Sequence, residues 1–148
     1  HEKFQTPSWQ KKDKKLKISI NSFSFKRGLP LDQSGNGGGF IFDCRGVHNP
    51  GRYEPYKKLT GKDPEVISFL KSKSKIQEFL DAAFKTIDIN IQDYLERDFE
   101  NLQINFGCTG GQHRSVYSAE TTKKYIEEKY GVQVEIRHVE QELKGNFI

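Results

Sequence analysis

Between residues 101 and 137 the spacing of apolar side chains changes period twice, and that change constrains the fold more than any other feature of the chain. Leu102, Ile104 and Phe106 alternate with polar neighbours as in a strand. Val116, Ala119, Lys123, Ile126 and Tyr130 recur three or four apart, as on one helix face, and Gly131 stands where a helix stops. Val132, Val134 and Ile136 then alternate again. A strand, a helix and a strand in succession predict a crossover with the two strands parallel and paired. Upstream, Leu16–Phe25 reads as a strand that loses its alternation near Ser22, and Phe40-Ile41-Phe42 as a short strand buried on both faces. Between them, Gly28–Pro30 and Ser34–Gly38 mark a loop. Asp63-Pro64-Glu65 opens a helix, with a capping carboxylate, a first-turn proline and an early acid. Val66, Phe69 and Leu70 give it a short apolar face, and Ile76 through Leu95 form a long amphipathic helix. The expected class is α/β: a mixed, mostly parallel sheet flanked by helices, with a βαβ unit carrying a glycine-rich phosphate-binding loop.

In open α/β sheets ligands bind beyond the C-terminal strand ends, which brings Asp43-Cys44-Arg45 and residues 107–115 to one edge if their strands are parallel. The second segment reads Gly107-Cys108-Thr109-Gly110-Gly111-Gln112-His113-Arg114-Ser115. Glycines turning a strand into a helix leave backbone N–H groups at a helix N-terminus, a ready anion site. Arg114 adds a bidentate clamp, and Thr109 and Ser115 add hydroxyl donors. The alternative is a plain tight turn with Arg114 exposed on the first helical turn. Cys108 and Arg114 are spaced C-x5-R and followed by Ser115, as in cysteine-dependent phosphatases, whose thiolate attacks phosphorus. Glycine occupies the place of the usual preceding histidine, and only Asp43 or Asp63 offers itself as an acid; a buried structural cysteine is the other reading. The nucleotide P-loop pattern fails, with Gln112 in place of its second glycine and no following lysine. His48, His113, His138, Cys44 and Cys108 lack metal-ligand spacing. His113 is an acid, base or phosphate donor, or polar surface. Asp43 suits a cationic amine or a sugar hydroxyl, or it ends its strand with an Asx turn, and Arg45 and Arg52 are within range of a phosphate.

Six lysines against two acids in residues 1–17 amount to the chain's whole formal charge of +4. The basicity therefore belongs to an arm or appended linker over residues 1–15, ahead of a single domain over 16–148. No apolar run approaches the roughly 18–20 residues that span a bilayer, and the N-terminus has no signal-peptide core. Two cysteines make no disulfide framework and fit a reducing cytosol. A chain that begins at His1 and contains no methionine reads as a piece of a longer protein with a missing neighbouring domain.

The motifs taken together resemble the C-terminal domain of the RapZ family of RNase adapter proteins. The likeness runs through Ser22–Pro30, Phe42–Arg45 with Asn49-Pro50, Leu59-Thr60-Gly61, Gly107–Tyr117 with Ala119-Glu120, and Arg137-His138. It implies a bacterial, cytoplasmic α/β domain that follows an N-terminal P-loop nucleotide-binding domain and self-associates as a homo-oligomer. The family domain senses glucosamine-6-phosphate and binds small RNA. By position, ligand contacts fall on Asp43, Thr109, Gly110, His113 and Arg114, joined by Arg45, Asn49, Gly111 and Ser115. RNA contacts fall on Lys26, Arg27, Arg137 and His138. The family's basic tail after the Arg-His pair has no counterpart in Val139–Ile148. The resulting expectation is a non-catalytic sensor of a phosphorylated amino sugar, without cofactor or metal. The alternatives are a Cys108 phosphatase and a nucleotide- or RNA-binding module.

Overall fold

The computed structural model describes residues 14–35 and 38–148. The basic arm through residue 13, and residues 36–37 of the glycine-rich loop, lie outside the described residues. Strands β1 (Lys17–Ser24), β2 (Gly39–Asp43), β3 (Asn101–Cys108) and β4 (Gln133–His138) form one sheet in the order β2-β3-β1-β4. Every neighbouring pair is parallel. The helices are α1 (Pro64–Lys73), α2 (Ile76–Glu96), α3 (Arg114–Tyr130) and the short α4 (Val139–Leu143). The fold is therefore α/β as the sequence predicts, with the sheet wholly parallel.

Strand alternation sorts the side chains. Ile18, Ile20, Leu102, Ile104 and Phe106 join one buried cluster with Leu70, Leu80, Ile87, Ile91, Ala119 and Ile126 from α1, α2 and α3. Each fully buried Ile or Leu contributes about 1.5–3 kcal/mol, so this cluster holds the layers together. The intervening strand positions, Lys17, Ser19, Asn21, Asn101, Gln103 and Glu135, line an open polar cleft of about 520 Å³. Helix α3 ends at Gly131, whose φ of 62° is the left-handed stop expected there.

Three local expectations are corrected. The run Phe40-Ile41-Phe42 is an edge strand bonded only to β3, so Phe40 and Phe42 face the core while Ile41 is 49% exposed. Strands β3 and β4 are parallel but unpaired, because β1 lies between them. The loss of alternation in β1 near Ser22 has its counterpart: burial alternates through Ile20 and is then continuous to Ser24, with Ser22 and Ser24 satisfied by His138 Nδ1 at 2.7 Å and the Thr109 carbonyl at 2.6 Å. Asp63 precedes α1, yet its carboxylate accepts from Thr60 N at 2.7 Å instead of capping the helix.

Parallel pairing in register places Ser24 opposite Cys108, Asp43 opposite Gly107 and Ser22 opposite His138. All four strands thus end along one edge of the sheet, and the candidate residues gather there.

Candidate functional site

The loop after β3 is shaped by what surrounds it. A side chain on Gly107 would collide with Phe23 and Phe25 at 2.5 Å, so glycine lets that aromatic pair lie against the strand end. Gly111 has φ of +63°, and a Cβ there would stand 2.7 Å from Glu140 Cβ and 3.0 Å from Ser24 N. Gly110 differs from both. It lies outside the left-handed region, and a Cβ would meet nothing within 4 Å, so the fold itself does not demand glycine at this position. Thr109 and Gly110 are the exposed crest of the loop.

Helix α3 starts directly behind that crest. Among the described residues no acceptor, backbone or side-chain, meets the N–H groups of Gly110 through Val116; the first α3 donor with one is Tyr117, bonded to His113 O at 3.0 Å. Seven consecutive N–H groups with no partner at the start of a 17-residue helix concentrate partial positive charge there.

Other predicted residues turn out to hold this segment in place. Arg114 is only 4% exposed, not a free first-turn arginine: Nη1 donates to the carbonyls of Arg45 and Val47, both at 2.8 Å. It ties the segment after β2 to the base of α3, and its Nε is buried with no partner among the described residues. His113 is buried and donates from Nε2 to Tyr56 O at 2.7 Å. Burial pushes its pKa down, so it is neutral at physiological pH. Asn49 accepts from Gly51 N at 2.9 Å, closing the turn that backs onto His113. Ser115 is fully buried and takes the Cys108 thiol at 3.1 Å, and Cys108 itself is 2% exposed. Burial raises the other thiol, Cys44, to about 12.

Asp43 ends its strand with the Asx turn that one of the two sequence readings describes. Its Oδ1 accepts from Arg45 N in an Asx turn, and the Arg45 guanidinium grips both carboxylate oxygens at 2.7–3.1 Å. Hydrogen bonding from Arg45 holds the Asp43 carboxyl below its ordinary pKa. Arg45 also stacks on the Phe25 ring at 3.9 Å. Cys44 N, bonded to Gly107 O at 2.7 Å, fixes this rim to the glycine loop.

The four basic candidates are placed less openly than the sequence suggests. Lys26 is exposed. Arg27 pairs with Glu140 at 3.0 Å, and Arg137 with Glu142 at 2.7 Å. His138 is buried between Ser22 and Glu120, whose carboxylate accepts from Nε2 at 2.7 Å.

Several residues hold the site in ways to which the sequence reading assigns no role. Gln112 donates to Lys57 O and Leu59 O at 2.8 and 2.7 Å, and its own carbonyl accepts from Gly61 N. Gly61 packs so closely on α3 that a Cβ would sit 2.3 Å from His113 O. From the other side Gln141 donates to Gly111 O. A cleft of about 600 Å³ opens beside the loop, lined by Lys58, Thr60, Gln112, Gln141 and Lys144. Periodicity carries no trace of α4, which is a single turn; the Thr60-Gly61 string is the one sequence signal for this flank. Among the described residues no three His, Cys, Asp or Glu side chains converge as a metal site would require.

Comparison with known proteins gives the same motif a lineage. A family model described as the RapZ C-terminal domain matches residues 16–142. A nucleotide-binding protein of Caldicellulosiruptor bescii is 42% identical over 137 residues, covering 92% of this chain and 45% of the relative. Nucleotide-binding proteins of Thermosipho melanesiensis (42% over 126 residues, 85% of this chain, 44% of the relative) and Ruegeria sp. strain TM1040 (39% over 133 residues, 89% and 41%) are similar. The chain spans less than half the length of these relatives.

Proposed function

Because the chain belongs to the RapZ C-terminal domain family, we propose that it is a non-catalytic sensing domain whose loop at 109–115 holds the phosphate of a phosphorylated amino sugar such as glucosamine-6-phosphate. The observation that carries this reading is the row of N–H groups without acceptors from Gly110 to Val116, beside a glycine the fold does not need. Backbone donors fixed by a helix bind a tetrahedral oxyanion without reorganising. The Thr109 hydroxyl joins them from the exposed crest. Arg114, His113, Asn49 and Ser115 act by holding the loop and the segment after β2 in register. Asp43, half exposed beside Arg45, accepts from an amine or hydroxyl of the ligand. The cleft beside Gln112 is within the size range of small-ligand sites.

Burial of Cys108 supports the non-catalytic reading, since an attacking thiolate needs access to phosphorus. The relatives' name, nucleotide-binding protein, describes chains more than twice as long as the segment matched here. Within those chains this domain would report ligand occupancy to its neighbour. Any RNA contact would fall first on Lys26, because Arg27 and Arg137 are held by glutamates and His138 is buried.

Amide NMR with glucosamine-6-phosphate, glucosamine and inorganic phosphate tests the proposal. The phosphate-bearing ligands should shift the amides of residues 109–116, and glucosamine alone should not. No shift in that segment at millimolar concentrations would refute it.

A further inference from the structure

Two clefts border the strand-end segments, and their charge differs. The one of about 540 Å³ that Asp43 lines sets two acids, Asp43 and Glu78, among two lysines, Lys73 and Lys75. The one of about 600 Å³ beside Gln112 carries Lys58 and Lys144 with no Asp or Glu side chain. A ligand's amine finds a counter-charge in the first and none in the second. What the second cleft compensates is negative charge.

The glycine loop itself builds the basic wall. Gln112 Nε2 donates to Lys57 O at 2.8 Å and to Leu59 O at 2.7 Å, which pins the backbone on either side of Lys58. Gly61 N donates to Gln112 O at 2.9 Å and His113 Nε2 to Tyr56 O at 2.7 Å, so the grip runs from residue 56 to residue 61. With both amide hydrogens committed, the donor Gln112 keeps is its backbone N–H, a member of the row without acceptors. The row and the lysine cleft thus meet at this residue. From α4 comes Gln141, which donates to Gly111 O, and Lys144 follows the helix end. Neither ammonium is committed. Lys57 pairs with Glu54 at 3.1 Å, but Lys58, exposed on the same turn, has no carboxylate partner among the described residues. Lys144 reaches Glu140 only at 4.0 Å, and Arg27 already holds that carboxylate at 3.0 and 3.3 Å.

We propose that this lysine cleft receives a second phosphate, so that the ligand the site favours is a sugar carrying two phosphates. The inference rests on the phosphate reading above and extends it, because glucosamine-6-phosphate offers the cleft no second anion. One phosphate meets the N–H row, the sugar passes Gln112, and the other phosphate meets the ammonium groups of Lys58 and Lys144. Thr60 Oγ, on the same wall, accepts from Lys62 N at 3.2 Å and so keeps its hydrogen for a phosphate oxygen. Lysines are compact charges on long stems and close on an anion from either side of such a cleft. Its volume is within the range of sites that enclose small ligands.

Titration of the whole chain with inorganic phosphate, glucose-6-phosphate and glucose-1,6-bisphosphate tests this, because the two sugars differ by one phosphate. Wild type should bind the bisphosphate about tenfold more tightly than the monophosphate, each exposed lysine supplying roughly threefold. Lys58→Ala and Lys144→Ala should each reduce that ratio about threefold, and the double variant should bring it to about one. Lys85→Ala removes the same charge from an exposed position on α2 outside the cleft, and should keep the wild-type ratio. A wild-type ratio near one, with the monophosphate still bound, overturns the inference and leaves the loop reading standing. So does a ratio that survives the double substitution. A ratio lowered equally by Lys85→Ala overturns it too, since the gain would then come from net charge and not from the cleft. If wild type takes none of the three ligands at millimolar levels, the loop reading itself falls, and this inference with it.

Discussion

Gly110 and Gly111 are adjacent and chemically identical, yet alanine at each should have opposite consequences. At Gly111 a φ of +63° imposes about 1–2 kcal/mol on any L-residue. The new methyl would also stand 2.7 Å from Glu140 Cβ and 3.0 Å from Ser24 N, and relieving such overpacking costs about 1–3 kcal/mol. Gly111→Ala should therefore lose about 2–5 kcal/mol. At Gly110 neither cost arises, and restricting the unfolded chain adds about 0.4–1 kcal/mol of stability. Gly110→Ala should be as stable as wild type or slightly more so, while its methyl intrudes on the space assigned to phosphate. Urea unfolding of the two variants reads the first difference, and phosphate titration of the stable one reads the second. Equal stability losses at both positions would refute the steric reasoning. A Gly110→Ala protein that binds phosphate like wild type would refute the ligand reasoning.

Arg114→Ala should cost about 3 kcal/mol, because the Arg45 and Val47 carbonyls, one half-buried and one buried, lose their shared charged donor; a loss under about 0.5 kcal/mol in urea would contradict the pinning role. Glu120 has a lowered carboxyl pKa because His138 donates to it, so its contribution is complete above its ordinary 4.5 and disappears as pH falls through the depressed folded value. Glu120→Gln should accordingly be less stable than wild type at neutral pH, with the gap closing as pH falls below 4.5, and a gap independent of pH would contradict this. Asp88 accepts from Tyr125, Tyr130 and Lys129 and so joins α2 to α3; Asp88→Asn should lose about 1–3 kcal/mol by thermal or urea unfolding, and a neutral effect would refute its bridging role.

The fold was legible wherever one residue's period decides its environment. The alternation of Leu102, Ile104 and Phe106, the helical spacing from Ile76 to Leu95 and the stop at Gly131 all report local geometry, and each has its counterpart in the structure. Strand order was not legible, because nothing in β3, α3 or β4 states that β1 will insert between the two strands. Nor was the partner of the buried Ser22 in β1, whose hydroxyl is answered 116 residues away by His138. At the site, the gathering of the Asp43 and Gly107–Ser115 segments at one edge followed from parallel topology. What individual side chains do there did not. Arg114 carries the residue type of a phosphate clamp, but the carbonyls it meets lie 67 and 69 residues away. Glu140 and Gln141 were invisible because a one-turn helix has too few residues for a period to register.

The three longer helices, α1, α2 and α3, pack on the core face of this parallel sheet and leave an open cleft on the other, and that asymmetry bears on how the domain can diversify. Tolerance to substitution should alternate residue by residue along β1 and β4. Lys17, Ser19, Gln133 and Glu135 face the open cleft or solvent and can be randomised without touching the core. Their immediate neighbours Ile18 and Ile20 admit only apolar side chains of similar volume. A lineage, or a directed-evolution library, could rewrite the chemistry of an entire face while inheriting the strand-end loop unchanged.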